Sequence, residues 1–273
     1  MSTVDLHVIR HGADHPVRFV LVHGLASAAS MWDGVGAELA ARGIGSIAVD
    51  LRGHGESPKP DEGFDFDTVV SDLVPLLEPL DRPVAVGQSY GGNVVVALAA
   101  RRPDLVRAIV CVDGGAIDLT AVFDSVDDAL VAMRPPYEQF EGITRAEEEA
   151  HLRRAHPDWP EIGIQGALRV NEVLADGTIR SRLGWSRHSQ IIRAMYAEPP
   201  TDHFPKIDLP VRFLVASARM RPGVERALEV LADGDAVFLE GAEHDVHAQR
   251  PADVAAHLES WWSASERRES SES

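Results

Sequence analysis

The chain has 273 residues, 45% of them hydrophobic and 25% charged, which suits one large soluble α/β domain or a core domain with an insertion. A formal net charge of −17 argues against a general nucleic-acid binder, whose electrostatics need a basic patch. The single cysteine, Cys111, excludes a disulfide framework within the chain, and no apolar run approaches the ~20 residues of a membrane span.

The opening MSTVDLHVIRHG lacks a basic segment leading into an apolar one, so the expected location is the cytoplasm. DLHVIRHG (5–12) reads as an antiparallel edge strand. Six short apolar runs follow as candidate buried strands: VRFVLVHG, GSIAVD, PVAVGQS, RAIVCVDG, PVRFLVAS and DAVFLEG. Helix-length stretches such as MWDGVGAELAARG and FDTVVSDLVPLLEPL lie between most of them. Strands alternating with helices, apolar on both faces, predict a mostly parallel sheet of about seven or eight strands covered by helices on both sides. Cys111 sits within AIVCVD and is expected to be a buried, inert thiol.

The alternation breaks once. Residues 116–206 pass before the next buried strand, too long for a structureless loop in a compact domain. Thr144 and Glu147 form a capping-box pattern, Asp176-Gly177 is a hairpin signal, and Ser186 is a candidate cap for the helix SRHSQIIRAMYA. On that helix His188, Ile192 and Met195 share one face, and His188 and Ile192 are candidates to line a substrate pocket. The expected organisation is a core of residues 1–115 and 207–262, a mainly helical cap of 116–206, and a disordered polar tail of 263–273.

VGQSYGGN (86–93) joins a strand to a helix. A turn there crowds the backbone, and Gly87 and Gly91 relieve the crowding by lacking a Cβ. G-x-S-x-G in that setting lifts the Ser89 hydroxyl above the sheet as a candidate nucleophile. A serine at neutral pH needs a base. His244, in EGAEHDVHAQRP, follows the last buried strand, at the sheet edge where parallel strands end, and is the candidate. His247 is expected to be structural.

VHGL, DLRGHGES, GQSYGG and GAEHDVHAQRP, in that order, resemble the α/β-hydrolase superfamily. The resemblance covers essentially the whole sheet domain and implies an eight-stranded, mostly parallel sheet with a cap. It carries the nucleophile to Ser89, the general base to His244, and the two oxyanion-hole amides to Leu25 and Tyr90. His23, Asp50, Arg52 and His54 are expected to be structural. In much of the superfamily the triad acid follows the strand after the cap, but here Arg219, Met220 and Arg221 stand there. In some members the acid follows the preceding strand, which gives Asp113; the other reading of Asp113 is that it satisfies loop amides. Arg219 and Arg221 are candidates to attract a substrate carboxylate at the site mouth, or else to lie on a solvated loop.

The resemblance implies a serine hydrolase acting on a small-molecule ester, thioester or lactone through an acyl-enzyme. No metal, organic cofactor, nucleic acid or membrane is implied. The Ser-His pair leaves open a C–C hydrolase, lyase or cyclase, since function resides in the pocket rather than the fold. A binding protein that kept the pocket and lost its acid is the remaining alternative.

Overall fold

The computed structural model describes residues 3–135 and 142–272, with side chains through residue 263. Residues 136–141 of the expected cap and Ser273 of the expected tail lie outside the described residues.

All seven predicted strands form one sheet: β1 (Val8–His11), β2 (Val17–Val22), β3 (Gly45–Val49), β4 (Val84–Gln88), β5 (Ala108–Val112), β8 (Val211–Val215) and β9 (Gly234–Phe238). Their spatial order is β1-β3-β2-β4-β5-β8-β9. Only β1 runs antiparallel, pairing Val8 with Val49, and every other pair is parallel. The sheet has seven strands, within the seven or eight expected from the sequence.

Side chains alternate across the sheet with period two. Phe19, Leu21, Val84, Val86, Val110 and Val112 face one layer, where α1 (Asp33–Ala41) and α10 (Pro251–Glu272) contribute Val35, Leu39, Leu258 and Trp262. Val20, Val22, Ala85, Ile109 and Cys111 face the other, against α2 (Phe66–Leu77), α3 (Tyr90–Arg101) and α8 (Arg221–Val230). Each fully buried aliphatic or aromatic side chain contributes roughly 1.5–3 kcal/mol over leaving it exposed. This double burial explains why β4 and β5 read as continuous apolar runs. Cys111 is buried and unpaired, and burial raises its pKa.

Between β5 and β8 the chain leaves the sheet. This inserted segment holds α4 (Val126–Ala132), α5 (Arg145–Ala155), α6 (Glu161–Leu168), the hairpin of β6 (Asn171–Val173) and β7 (Ile179–Ser181), and α7 (Gly184–Ala197). The capping box forms: the Thr144 side chain accepts from the Glu147 amide while the Glu147 carboxylate accepts from the Thr144 amide at 2.8 Å. The hairpin turns at Asp176-Gly177, where Asp176 Oδ1 accepts from the Thr178 amide at 3.0 Å. Ser186 does not cap α7. The helix begins at Gly184, two residues earlier than its polar pattern suggests, and the Gly184 amide donates to Ser181 Oγ at 3.3 Å. α10 runs from Pro251 to Glu272, and no glycine or proline after Pro251 interrupts it.

The order of strands reverses between β2 and β4. β3 lies on one side of β2 and β4 on the other, so the loops leaving β2 and β4 diverge and open a crevice at the carboxyl edge of the sheet.

Candidate active site

Ser89 occupies the turn from β4 into α3 with φ 52° and ψ −122°. Such a backbone costs on the order of 1–3 kcal/mol and persists only where its surroundings impose it. The surroundings are tight. A Cβ on Gly87 would lie 2.1 Å from the Gly91 carbonyl oxygen, and one on Gly91 would lie 2.4 Å from that of His23. The two glycines let the helix, the strand and the loop after β2 approach closely, and the Ser89 amide donates to Val112 O at 3.1 Å.

Tyr90 opens α3, so its N–H is among the amides a helix leaves without an internal partner. The Leu25 N–H, on the loop after β2, enters no hydrogen bond among the described residues. His23 shapes that loop. Its Nε2 accepts from the Leu51 amide at 3.1 Å, which leaves Nδ1–H to donate to Gly24 O at 2.7 Å. Burial lowers the His23 pKa, which agrees with this neutral tautomer. Asp50 accepts from the amides of Ala29 and Glu56, and Arg52 pairs with Asp72 in the interior. His54 is buried, and desolvation holds its pKa well below the ordinary value. These four hold loops in place.

His244 lies between β9 and the short α9 (Val246–Gln249), and its Nδ1 lies 2.6 Å from Asp113 Oδ2. Asp113, at the end of β5, has φ 42°. Its Oδ1 accepts from the Ala216 and Ser217 amides at 2.9 and 2.8 Å, and its Oδ2 also accepts from Ser217 Oγ. Burial alone would raise the Asp113 pKa, but the hydrogen bonds from His244 and Ser217 hold it below the ordinary carboxylate value. The Asp113 side chain is 0% exposed and that of His244 32%, so solvent and ligand reach the imidazole while its carboxylate partner stays shielded. With Nδ1 donating to Asp113, Nε2 is left as the free acceptor of the ring.

Two further side chains hold the His244 loop. Gln88, just before Ser89, donates Nε2 to His244 O at 3.2 Å and to Asp245 Oδ1 at 3.3 Å. Asp245 therefore faces Gln88, and burial raises its pKa. His247 is buried against Trp32 with ring centroids 4.5 Å apart, and burial takes its pKa down to about 3.

The model of the Alpha/beta hydrolase family matches residues 19–257, which includes the sheet from Phe19 of β2 onward and each residue of this constellation. The chain belongs to the alpha/beta hydrolase family. Among curated proteins it is 27% identical over 255 residues to the 2-(acetamidomethylene)succinate hydrolase of Mesorhizobium japonicum, covering 92% of this chain and 89% of the relative. It is 29% identical over 247 residues to a non-heme chloroperoxidase of Streptomyces lividans, covering 85% and 86% of the two chains. Among solved structures, E-2-(acetamidomethylene)succinate hydrolase superposes with a TM-score of 0.76 at 24% identity, covering 93% of this chain and 94% of that one.

In this alpha/beta hydrolase, Ser89 and His244 line two cavities that meet at them. The larger, ≈ 580 Å³, is walled mainly by apolar side chains that include Leu119, Phe123, Met133 and Met220. The smaller, ≈ 300 Å³, is more polar and is lined by Ser27, Glu148, His156, Trp159 and Asn171. Of the candidates for substrate contact, Arg219 lines the larger cavity. Arg221, two residues on, turns away: its guanidinium lies 4.0 Å from the Phe238 ring centroid and lines a separate small cleft. His188 and Ile192 line neither cavity. Both are buried, Ile192 in the packing of α7 onto the core, and burial takes the His188 pKa down to about 4. An apolar stripe on a helix satisfies itself first by packing.

Several site residues escaped the sequence reading. Ser217 follows β8, where an acid was sought, and supplies donors to Asp113 instead. Gln88 was legible as part of G-Q-S but carried no signal of its contact across 156 residues. His156 and Trp159 both direct N–H groups to Glu243, at 2.7 and 3.1 Å, a contact between the inserted segment and the His244 loop that only the fold creates. No group of three or more His, Cys, Asp or Glu suited to hold a metal ion occurs among the described residues. No helix among them is long and apolar enough to cross a membrane.

Proposed function

We propose that the protein is a serine hydrolase of small-molecule carboxylic esters, thioesters or lactones, working through an acyl-enzyme. Ser89 Oγ attacks the carbonyl carbon as its proton passes to His244 Nε2. Asp113 fixes the His244 tautomer and stabilises the imidazolium. The Leu25 and Tyr90 amides hold the oxyanion, each such donor being worth roughly 3–4 kcal/mol. Collapse expels the leaving group, which takes the proton from His244. Water, activated by the same imidazole, then releases the acid and restores Ser89. Residues 116–206 serve as the cap that walls the cavities.

The observation that carries this reading is the 2.6 Å contact of His244 Nδ1 with a shielded Asp113 beside a serine held on a strained strand-to-helix turn. The same contact weakens the binding-protein alternative, whose support was an apparently missing acid. A second reading keeps the Ser-His pair but acts on a bond other than an ester. The curated relative named for 2-(acetamidomethylene)succinate favours it.

Purified protein is offered 4-nitrophenyl butyrate and a fluorophosphonate probe. Wild type is expected to turn over the ester and label at one residue. Ser89→Ala is expected to lose labelling and on the order of 10⁵-fold in kcat, keeping its thermal transition. Equal labelling of the Ala variant rejects Ser89 as nucleophile.

A further inference from the structure

The larger cavity combines an apolar wall with two arginines, Arg219 on the turn before α8 and Arg226 within α8. Arg219 lies in the 3-10 turn Ala218–Met220 and Arg226 in α8, and both line this one cavity. Both are exposed, so they stand at the mouth, with Ser89 and His244 further in. Neither forms an ion pair or hydrogen bond among the described residues. That is unusual in this molecule. The separate ≈ 380 Å³ cavity near β1 also has three arginines, but Arg145 pairs with Glu148, Arg182 with Glu56 and Arg169 with Asp33. The acid among the described residues lining the larger cavity is Asp118, and its Oδ1 is engaged by the amides of Thr120 and Ala121 and by Thr120 Oγ1.

Resting on the hydrolase reading above, we infer that this cavity selects acyl groups that carry a distal carboxylate: the apolar wall packs the carbon chain, and Arg219 and Arg226 receive the far anion. A guanidinium presents paired N–H donors that match a carboxylate, and the resulting bonds are stronger than neutral ones. In a chain of net charge −17 the general field repels anions, so a local pair of uncommitted cations at the mouth has a specific rather than a general effect. Arg221, on the same element, is excluded because it packs over Phe238 outside the cavity.

The experiment compares two esters of equal chain length, 4-nitrophenyl hydrogen adipate and 4-nitrophenyl hexanoate. Wild type is expected to prefer the adipate by about tenfold or more in kcat/KM, mainly through KM, with the preference shrinking in 0.5 M NaCl. Arg219→Gln/Arg226→Gln is expected to bring the ratio to about one or below. Arg221→Gln removes a charge of the same sign two residues from Arg219 and is expected to keep the ratio. A wild-type preference for hexanoate, or a ratio unchanged in the double variant, overturns the inference. Turnover of neither ester would count against the hydrolase reading instead. Calorimetry on Ser89→Ala then decides the anion site by itself, with methyl hydrogen adipate against methyl hexanoate. Tighter adipate binding that is lost with both arginines retains the site, and equal binding removes it.

Discussion

The elbow that carries Ser89 and the segment inserted between β5 and β8 both interrupt the same sheet, yet different forces determine them. The elbow is set by backbone crowding. Ser89 and Asp113 both hold positive φ, and glycines at 87 and 91 sit where any Cβ would strike a carbonyl. The inserted segment is set by side-chain burial and capping: Ile191, Ile192 and Met195 bury one face of α7, and the Thr144–Glu147 box starts α5. Backbone crowding leaves little freedom in residue type, whereas a buried helical face accepts many apolar sequences. Ser89 and Asp113 lie on the first kind of structure, while the inserted segment supplies Leu119, Phe123 and Met133 to one cavity and His156 and Trp159 to the other.

The largest expected effect tests the first region. Asp113→Asn keeps the shape of the side chain but removes the charge that, in the proposed mechanism, orients His244 and stabilises its cation. We expect kcat for a short aryl ester to fall on the order of 10²–10⁴-fold. Met220→Ala, at the position where the acid was first sought, is expected to cost less than about tenfold, since Met220 only walls the cavity. Stability should respond to pH as well. The folded-state pKa of Asp113 lies below its ordinary value of 3.8, so the ionised carboxylate stabilises the fold above that value. This contribution is lost as pH falls through the lower, folded value. Denaturant melts should therefore show wild type losing more stability than Asp113→Asn as pH falls below about 4. Parallel curves would mean that the pairing with His244 and Ser217 has no energetic weight.

The extent to which each region was legible follows from the same contrast. The strands were readable because burial on both faces leaves unbroken apolar runs, and Ser89 was readable because glycines mark a crowded turn. His244 was readable from its place after the last strand. Asp113 emerged as a candidate only because the later strand is followed by Arg219, Met220 and Arg221 instead of an acid. Ser217, Trp159 and Arg226 carry no local pattern, because their partners or cavity come together only in the folded chain. The helical stripe of His188 and Ile192 was visible, but periodicity reports that a face is buried and not what it is buried against.

The inserted segment is tested by Ile192→Asn. Ile192 is 0% exposed, so the substitution leaves a void and an amide with no assured partner. The expected loss is about 3–4 kcal/mol in denaturant unfolding. If the segment is a distinct layer over the chemistry, the surviving folded fraction should label with fluorophosphonate at nearly the wild-type rate. A labelling rate that falls in proportion to stability would show the two regions to be one cooperative unit.

The smallest expected effect concerns the contact between them. Glu243 precedes His244, and its Oε2 accepts from His156 Nδ1 and from Trp159 Nε1, both of the inserted segment. The His156 ring stacks on Trp159 with centroids 4.1 Å apart, and the Glu243 amide donates to Gln249 at 2.8 Å. The histidine loop is thus held from the sheet side by Gln88 and from the inserted side by this pair. Glu243→Gln keeps an acceptor oxygen and loses the charge, and is expected to reduce kcat about threefold. Glu243→Leu removes the acceptor and leaves the Trp159 N–H without it. There kcat should fall about tenfold, with KM less affected, because the change acts on the position of His244 rather than on the cavity walls. Trp159→Phe, which removes only the donor, should fall between wild type and Glu243→Leu. If all three variants turn over ester at the wild-type rate, the inserted segment shapes the cavities without steadying the base. The separation between the two regions would then be sharper than these hydrogen bonds suggest.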